Sequence, residues 1–484
     1  MRIYNSATHK KEEFQPIESG KVRMYVCGPT VYDNIHIGNA RTFISFDVIR
    51  RWLIASGYEV TFAQNLTDVD DKIIKRANEQ GRTAAEVATE FSDKFIGVMR
   101  AANVLDPDVR PRATKEIGPM IAMIKTLIEQ GHAYAADNGD VYFAVRSDPN
   151  YGQVSGRNID DLMVGARIEE NEDKIDPLDF ALWKAAKPGE PSWPSPWGEG
   201  RPGWHTECAA MVHRYLGTPI DIHGGGSDLA FPHHENECAQ ATCAWHQGFS
   251  NTWMHTGMLL VDGEKMSKSR GNVVNPDDIV QDYGADTLRT YEMFIGAFDL
   301  SASWSEEGVK GCRRFLERVW KLQDILTDEE GYSADLETKM HQTIKKVSSD
   351  FENLKYNTAI AAMMSLINEF YKKNAITRGE YKTLLTLLNP VAPHITEELW
   401  QTAGFEGRLY QAAWPEFEEE KTVESVVEIG VQVNGKMRVT INVSKDETRE
   451  NVIAMAKEAL GDKLTGNIVK EIYVPGRIVN IVAK

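Results

Sequence analysis

The chain has 484 residues, 42% of them hydrophobic and 26% charged, a size that allows several domains with separate cores and a balance ordinary for a soluble globular protein. No apolar run is long enough to span a membrane and the first residues lack the apolar stretch of a signal peptide, so the cytoplasm is the expected location. The net charge of −17 argues against indiscriminate nucleic-acid binding but leaves room for a specific RNA partner met by local basic surfaces, and five cysteines, few and odd in number, turn attention from a disulfide framework to metal or catalytic use.

The first organised stretch is 22–41. Val22 to Val26 reads as a buried strand of a parallel sheet with Cys27 at its end. Gly28-Pro29 breaks that strand, and His36-Ile37-Gly38-Asn39 opens a helix on which Phe43, Phe46, Ile49, Trp52 and Leu53 recur at helical spacing. In open α/β sheets the ligand crevice lies at the carboxyl ends of strands, and the free N–H groups of a helix start favour phosphate, so a thiol is set beside a nucleotide site. A short strand at 58–62 runs into a polar cluster from Asn65 through Thr67 to Lys72, and helices follow at 84–101 and 116–130. After a β-type run at 140–145, the Pro-rich segment 188–203 can be neither helix nor inner strand and reads as a rigid surface connection that delivers Trp204 and a helix beginning near His205. The sheet resumes at 220–223, followed by three glycines, Ser227 and Asp228, where the backbone can approach a ligand closely. A further strand at 258–261 leads into a loop bearing Lys265 and Lys268.

From 306 to about 402 the pattern is helical throughout, which predicts a bundle; one of its helices gathers Lys310, Arg313, Arg314, Arg318 and Lys321. Beyond an acidic linker at 416–421, Val427, Ile429, Val431 and Val433 alternate up to Asn434-Gly435, and Met437, Val439, Ile441 and Val443 alternate after it, the strongest short hairpin signal. A helix at 449–460 and strands at 468–474 and 478–482 complete a small α+β module, in which nine Lys/Arg against seven Asp/Glu over 427–484 leave a local charge of +2 in an acidic protein.

Cys27 ends one sheet strand, Cys208 begins a helix in the second half of the sheet, and His233 and Glu237, four apart, would share one helix face, as would His234 and Glu237 at three apart. Two thiolates, one imidazole and one carboxylate suit tetrahedral Zn²⁺. The same residues would equally suit small buried hydrophobes and a histidine helix cap, and spacing does not choose between the two.

Two further pieces do. His36-Ile37-Gly38-Asn39 and Lys265-Met266-Ser267-Lys268-Ser269 are the signature pair of class I aminoacyl-tRNA synthetases, in the right order and at the two ends of a split nucleotide-binding sheet. The blocks CGPTVYDNIHIGNAR, NLTDVDDKI, GWHTECAAM, HGGGSDLAFPHHENE and DGEKMSKSRGN resemble those of cysteinyl-tRNA synthetases over most of the first 272 residues. The resemblance implies that Cys27, Cys208, His233 and Glu237 are zinc ligands, with His233 favoured over His234, that Thr67, Trp204 and Asp228 line the amino-acid pocket, and that His36, Gly38, Asn39, Lys265 and Lys268 handle ATP. It implies further that the substrate's own thiolate joins the zinc, so that serine is rejected without an editing site. Asn39 stands where the family's tetrapeptide has its second histidine, and can still donate a hydrogen bond to phosphate or ribose.

From about residue 273 the chain instead resembles leucyl-tRNA synthetase, first its helical anticodon-binding region and then its small C-terminal module, without that enzyme's large editing insertion. The expected fold is α/β: a class I Rossmann-type catalytic domain (1–110 and 204–260) with an inserted connective subdomain (111–203), a signature-loop and stem-contact region (261–305), an α-helical bundle (306–415) and a small α+β C-terminal domain (424–484) that binds tRNA. The expected activity is that of a cysteine–tRNA ligase, with one Zn²⁺ per chain, ATP with Mg²⁺, cysteine and tRNA (tRNA(Cys) expected) as partners, no membrane, and a monomer favoured. Two alternatives stand beside it: a paralogue that joins cysteine to a non-tRNA amine, and a tRNA-binding protein without ligase activity.

Overall fold

The computed structural model describes residues 1–159, 173–267, 270–423 and 426–484; Lys268 lies outside them. The chain opens with an antiparallel hairpin, β1 (Arg2–Asn5) and β2 (Lys10–Glu13), whose second strand, KKEE, has no apolar pattern to announce it. β3 (Lys21–Val26) buries Val22, Met24, Tyr25 and Val26 and passes through the turn at Gly28-Pro29 into α1 (Ile37–Ala55) and β4 (Glu59–Ala63). α2 (Asp71–Gln80) and α3 (Ala84–Ala101) start on the side-chain caps Asp70 and Thr83, and α4 (Ile117–Glu129) follows. β5 (Ala133–Ala135), β6 (Val141–Phe143), β7 (Phe180–Ala185) and β8 (Gly200–Pro202) make an antiparallel sheet in that order. β8, the end of the Pro-rich run, is an edge strand, a position where a missing N–H is tolerated.

α5 (Thr206–Leu216), β9 (Ile220–Gly226), α6 (Glu235–Trp245) and β10 (Ser250–Thr256) complete the parallel sheet, whose order is β10-β9-β3-β4. Tyr25 pairs with His223 and His223 with Trp253 across it. From β3 the chain moves to β4 on one side and later returns to β9 on the other, so the crevice expected at such a reversal opens between the carboxyl ends of β3 and β9. The strand expected at 258–261 is not part of this sheet: its fourth strand is β10, whereas β11 (Leu259–Val261), β12 (Glu264–Lys265) and β13 (Ala302–Ser303) form a separate small sheet. β10 escapes a periodicity reading because its buried end, Trp253 to Thr256, includes the polar His255 and Thr256.

The remaining helices are α7 (Pro276–Tyr283), α8 (Ala285–Phe294), α9 (Glu306–Lys321), α10 (Glu337–Glu352), α11 (Tyr356–Lys373), α12 (Arg378–Leu388) and α13 (Pro393–Thr402). Of the five basic residues foreseen on α9, Lys310 pairs with Glu306 and Glu307, Arg313 with Glu317, and Arg318 with Asn368 and the Tyr371 ring, which lowers the positive charge that a residue count suggests. Among the described residues no helix is long and apolar enough to cross a membrane.

The chain divides into two compact units, Met1–Glu330 with Lys346–Pro415, and Gly331–Lys345 with Glu416–Lys484. In the second, β14 (Val426–Val433) and β15 (Lys436–Ser444) form the hairpin read from Asn434-Gly435, with φ of 52° and 78° at the two turn residues. With α14 (Arg449–Leu460), β16 (Ile468–Val474) and β17 (Ile478–Ala483) they give a sheet ordered β15-β14-β17-β16 over a core of Ile429, Val431, Ile441, Val443, Val452, Val479 and Ile481. Met437 departs from the expected alternation. Val431 faces Val439 but Gln432 faces Met437, so a bulge reverses the parity and leaves Met437 57% exposed.

In the first unit the wholly buried Arg289 of α8 uses all five N–H donors: Nη2 on Asp47 Oδ2 (2.7 Å) and the Pro390 carbonyl (2.7 Å), Nε on the Val391 carbonyl (2.9 Å), and Nη1 on the Ala102 and Asn103 carbonyls (3.1 and 3.4 Å). Asp47, on α1, also takes Arg51 Nε at 2.9 Å and the Leu105 N–H at 2.8 Å. Removing the guanidinium leaves a buried carboxylate half-paired, so Arg289→Met is expected to lower stability by about 3 kcal/mol in urea unfolding, and Arg289→Lys to restore only part of it because an ammonium has three donors and no planar fork. Three residues on, Glu292 is 1% exposed with neither carboxylate oxygen hydrogen-bonded among the described residues; burial, opposed by nearby Arg41, raises it from 4.5 to about 8. The folded state therefore holds this proton more tightly than the unfolded state does. Its contribution is complete below about pH 4.5 and lost as the pH rises through about 8. Urea midpoints of the Glu292→Gln variant are expected to fall less steeply over that window than those of the parent.

Candidate active site

A cavity of about 530 Å³ lies at the carboxyl ends of β3 and β9. Its walls include Cys27, Asn65, Thr67, Trp204, Cys208, Asp228 and His233 together with His36, Gly38, Asn39, Lys265 and Met266. The chain passes so closely at the first turn that a Cβ on Gly28 would lie 1.7 Å from the Asn65 carbonyl oxygen, so only glycine fits there.

Cys27 follows β3, Cys208 stands in the first turn of α5 and His233 lies in the helical turn Ala230–His234 that leads into α6, all three lining the cavity, and Glu237 is on α6 itself. All four are buried, and their ligand atoms lie within 4.8 Å of one another. The two sulfurs are 3.7 Å apart, Cys27 Sγ is 3.3 Å from Glu237 Oε1, and His233 Nε2 is 2.8 Å from the same oxygen. Two sulfurs on a tetrahedral ion with metal–sulfur bonds of about 2.3 Å stand roughly 3.8 Å apart, so the sulfur pair already has the spacing such an ion requires. Burial works against charge on Glu237, yet His223 and His233 hold it well below the usual carboxylate range. His233 is likewise opposed by burial, but Glu237 and Cys208 raise it to about 10. Neither His233 nor His234 caps α6 through its side chain.

A second group, Cys27, His223, His234 and Glu237, also converges within 4.8 Å. It shares two members with the first and has one sulfur fewer. His223 and His234 do not line the cavity, whereas Cys27, Cys208 and His233 do. His223 Nε2 is 2.7 Å from Glu237 Oε2 and His234 Nδ1 is 2.8 Å from His255 Nε2, so these imidazoles are the layer behind the four residues rather than the layer facing substrate.

Trp204 stacks on His233 with ring centroids 4.5 Å apart. Asp228, in the turn after β9, receives Lys265 Nζ at 2.7 Å. At the start of α1 His36 is the N-cap: its Nδ1 accepts from the Asn39 N–H at 3.3 Å while Asn39 Oδ1 accepts from the His36 N–H at 3.2 Å. Asn39 thus closes the helix start through its oxygen, a role that the sequence motif alone does not reveal. A Cβ on Gly38 would meet the His36 ring at 3.0 Å, so glycine lets the imidazole fold over the first turn.

Three functional neighbours were not singled out from sequence. His205 Nδ1 lies 3.0 Å from His233 Nδ1 and so sets which nitrogen His233 presents; His223 holds Glu237; Glu207 accepts the Thr67 hydroxyl. Their only signal was position. His205 and Glu207 flank Cys208 within the block GWHTECAAM, and His223 ends the apolar run of β9.

The two overlapping quartets make opposite predictions for metal content measured by elemental mass spectrometry. Protein prepared with divalent metal is expected to hold about one equivalent, to lose it in the Cys208→Ser and His233→Asn variants, and to retain it in His234→Asn. Loss in His234→Asn with retention in Cys208→Ser would assign the deeper group instead.

The family described as "tRNA synthetases class I (C) catalytic domain" matches residues 13–313, and that described as "Anticodon-binding domain of tRNA ligase" matches residues 334–454. A curated protein of Shewanella baltica (strain OS155) named cysteine–tRNA ligase is 54% identical over 330 residues, 67% of this chain and 71% of that protein. One of the same name from Shewanella sp. (strain ANA-3) is 52% identical over 330 residues, 67% of this chain and 70% of the relative. Among solved structures, the ternary complex of Agrobacterium radiobacter K84 agnB2 LeuRS with tRNA and LeuAMS superposes with a TM-score of 0.69 at 16% identity, covering 97% of both chains. Mycobacterium tuberculosis methionyl-tRNA synthetase in complex with methionyl-adenylate gives 0.62 at 16% identity, covering 80% of this chain and 94% of the other. The last two likenesses concern the fold. With its catalytic region matched from 13 to 313 and more than half of its residues shared with proteins of that name over two thirds of its length, this chain belongs to the class I (C) family of tRNA synthetases.

Proposed function

We propose that this chain is a cysteine–tRNA ligase, which activates cysteine with ATP and transfers it to the 3′ end of tRNA(Cys) in the cytoplasm. The observation that carries the reading is the meeting of Cys27, Cys208, His233 and Glu237 at a cavity that the first three line together with His36, Gly38, Asn39 and Lys265. The donor set, two sulfurs with a nitrogen and an oxygen, fits Zn²⁺, which when bound would supply a soft Lewis acid for the sulfur of the substrate. A hydroxyl is a poor substitute at such a site, so serine is rejected on binding and no editing domain is needed.

The chain's own residues then do the positioning. Asp228 and Thr67 take the α-ammonium of cysteine and Trp204 covers the pocket. ATP enters with Mg²⁺, and the N-terminus of α1 with His36 and Asn39 faces its phosphates. Lys265 and Lys268 neutralise the charge that builds on the departing pyrophosphate. A carboxylate oxygen of cysteine attacks the α-phosphorus, the bond from that phosphorus to the oxygen bridging to the β-phosphate breaks, and pyrophosphate leaves. A terminal ribose hydroxyl of tRNA next attacks the carbonyl carbon of the adenylate, its proton passing to a phosphate oxygen, and the bond to AMP breaks. Because the work is orientation and charge stabilisation, no side-chain general base is needed.

Aminoacylation of total tRNA with labelled cysteine, leucine and serine in parallel tests the reading. Cysteine alone is expected to be attached, to tRNA(Cys); attachment of leucine, or no cysteine-dependent ATP–pyrophosphate exchange by zinc-loaded protein, overturns it. Lys265→Ala is expected to slow that exchange by roughly two orders of magnitude with little change in metal content.

A further inference from the structure

We propose that Lys265 and the α-ammonium of the amino acid compete for the one carboxylate of Asp228, so that binding of the amino acid is what frees Lys265 for the phosphates of ATP, an exchange that rests on the cysteine-activating reading above. Asp228 stands in the turn after β9 and Lys265 on β12; both line the cavity, and Lys265 Nζ meets Asp228 Oδ2 at 2.7 Å. The other oxygen, Oδ1, is folded back on its own turn, where a Cβ on Gly226 would lie 2.7 Å from it. The main chain of Lys265 is tied down independently of this contact. Lys265 pairs with Leu260 between β12 and β11, its carbonyl accepts Asn272 Nδ2 at 3.3 Å, and Asn272 Oδ1 accepts the Ser267 N–H at 2.8 Å. Met266, between the two anchored residues, is 3% exposed. What is left free to move is the lysine side chain.

A carboxylate already in contact with one ammonium meets a second only against the repulsion between the two cations. An ammonium brought to Asp228 by the amino acid therefore displaces that of Lys265 instead of joining it. The displaced lysine keeps its backbone place in the wall of the cavity that His36 and Asn39 also line, and its charge is then available to an anion there. The side chains of Lys265 and Asp228 are 55% and 49% exposed, so the ion pair is weak and its exchange costs little. Two ligands linked in this way need not touch each other, and the linkage is reciprocal: the factor by which cysteine favours ATP is the factor by which ATP favours cysteine. 3-Mercaptopropionate, which keeps thiol and carboxylate but lacks the ammonium, leaves the ion pair in place and produces no linkage.

The test measures binding to the zinc-loaded full chain by calorimetry, with Mg²⁺ and α,β-methylene-ATP, whose carbon bridge is not cleaved. Cysteine is expected to tighten the nucleotide by about two- to fivefold, the range an exposed ion pair supplies, and 3-mercaptopropionate to leave it unchanged. Asp228→Asn is expected to tighten the nucleotide by a similar factor in the absence of cysteine and to abolish the effect of cysteine. Lys265→Met is expected to bind cysteine alone more tightly than the parent by that same factor, and in its background Asp228→Asn is expected to tighten the nucleotide no further. Tightening by Asp228→Asn that persists without Lys265 is long-range charge and not an exchange of partners, and overturns the proposal; so does a Lys265→Met variant that binds cysteine no better than the parent, or a linkage as large with 3-mercaptopropionate. A parent that binds cysteine and supports ATP–pyrophosphate exchange without linkage overturns the exchange of partners alone, whereas one that does neither overturns the functional reading with it.

Discussion

The carboxylate of Glu237, wholly withdrawn from water, is the constraint on which the rest of the site depends. A buried carboxylate is tolerated only where partners hold its charge, and here His223 meets one oxygen while His233 and Cys27 meet the other. Those partners come from β9, from the turn before α6, and from the end of β3, so satisfying one acidic side chain draws three distant parts of the chain to one point. Cys208, 3.7 Å from Cys27, completes the group from the start of α5. The parallel sheet makes this possible. β3 and β9 are neighbours whose carboxyl ends lie side by side, although nearly two hundred residues separate them in the chain.

Behind that group, the polar side chains are organised in layers. His205 turns His233, His223 holds Glu237, and Glu207 with Asn65 orients Thr67. His205, His223 and Glu207 do not line the cavity, and each acts on it through the residue it holds. Of the residues lining the pocket, Asp228 is a carboxylate already carrying an ammonium, that of Lys265, at 2.7 Å.

Local signals were legible where a single element carries its own pattern. The strand ending at Cys27, the helix opened by His36, the Asn434-Gly435 hairpin and the run of bundle helices all follow from periodicity and turn chemistry. Cys27, Cys208, His233 and Glu237 could be gathered into one set only because their blocks resembled a known family, since spacing left open whether they were ligands or core. What stayed hidden was relational. β10 looks irregular until its neighbours are known, β2 is a strand by pairing alone, and Met437 leaves its expected face because of a bulge one turn from the hairpin tip. His205, Glu207 and His223 belong to the same category, for their importance lies in the atom each one faces.

Arg289 ties α1 to the corner of chain that precedes α13. Only one of its five contacts is with a side chain, Asp47; the others are main-chain carbonyls, two of them at Pro390 and Val391. A carbonyl is present whatever residue bears it, so this joint recognises a turn of backbone and not the letters written on it. Substitutions at 102, 103, 390 or 391 leave such a joint intact as long as the backbone returns to the same corner, a tolerance that side-chain interlocking would have forbidden.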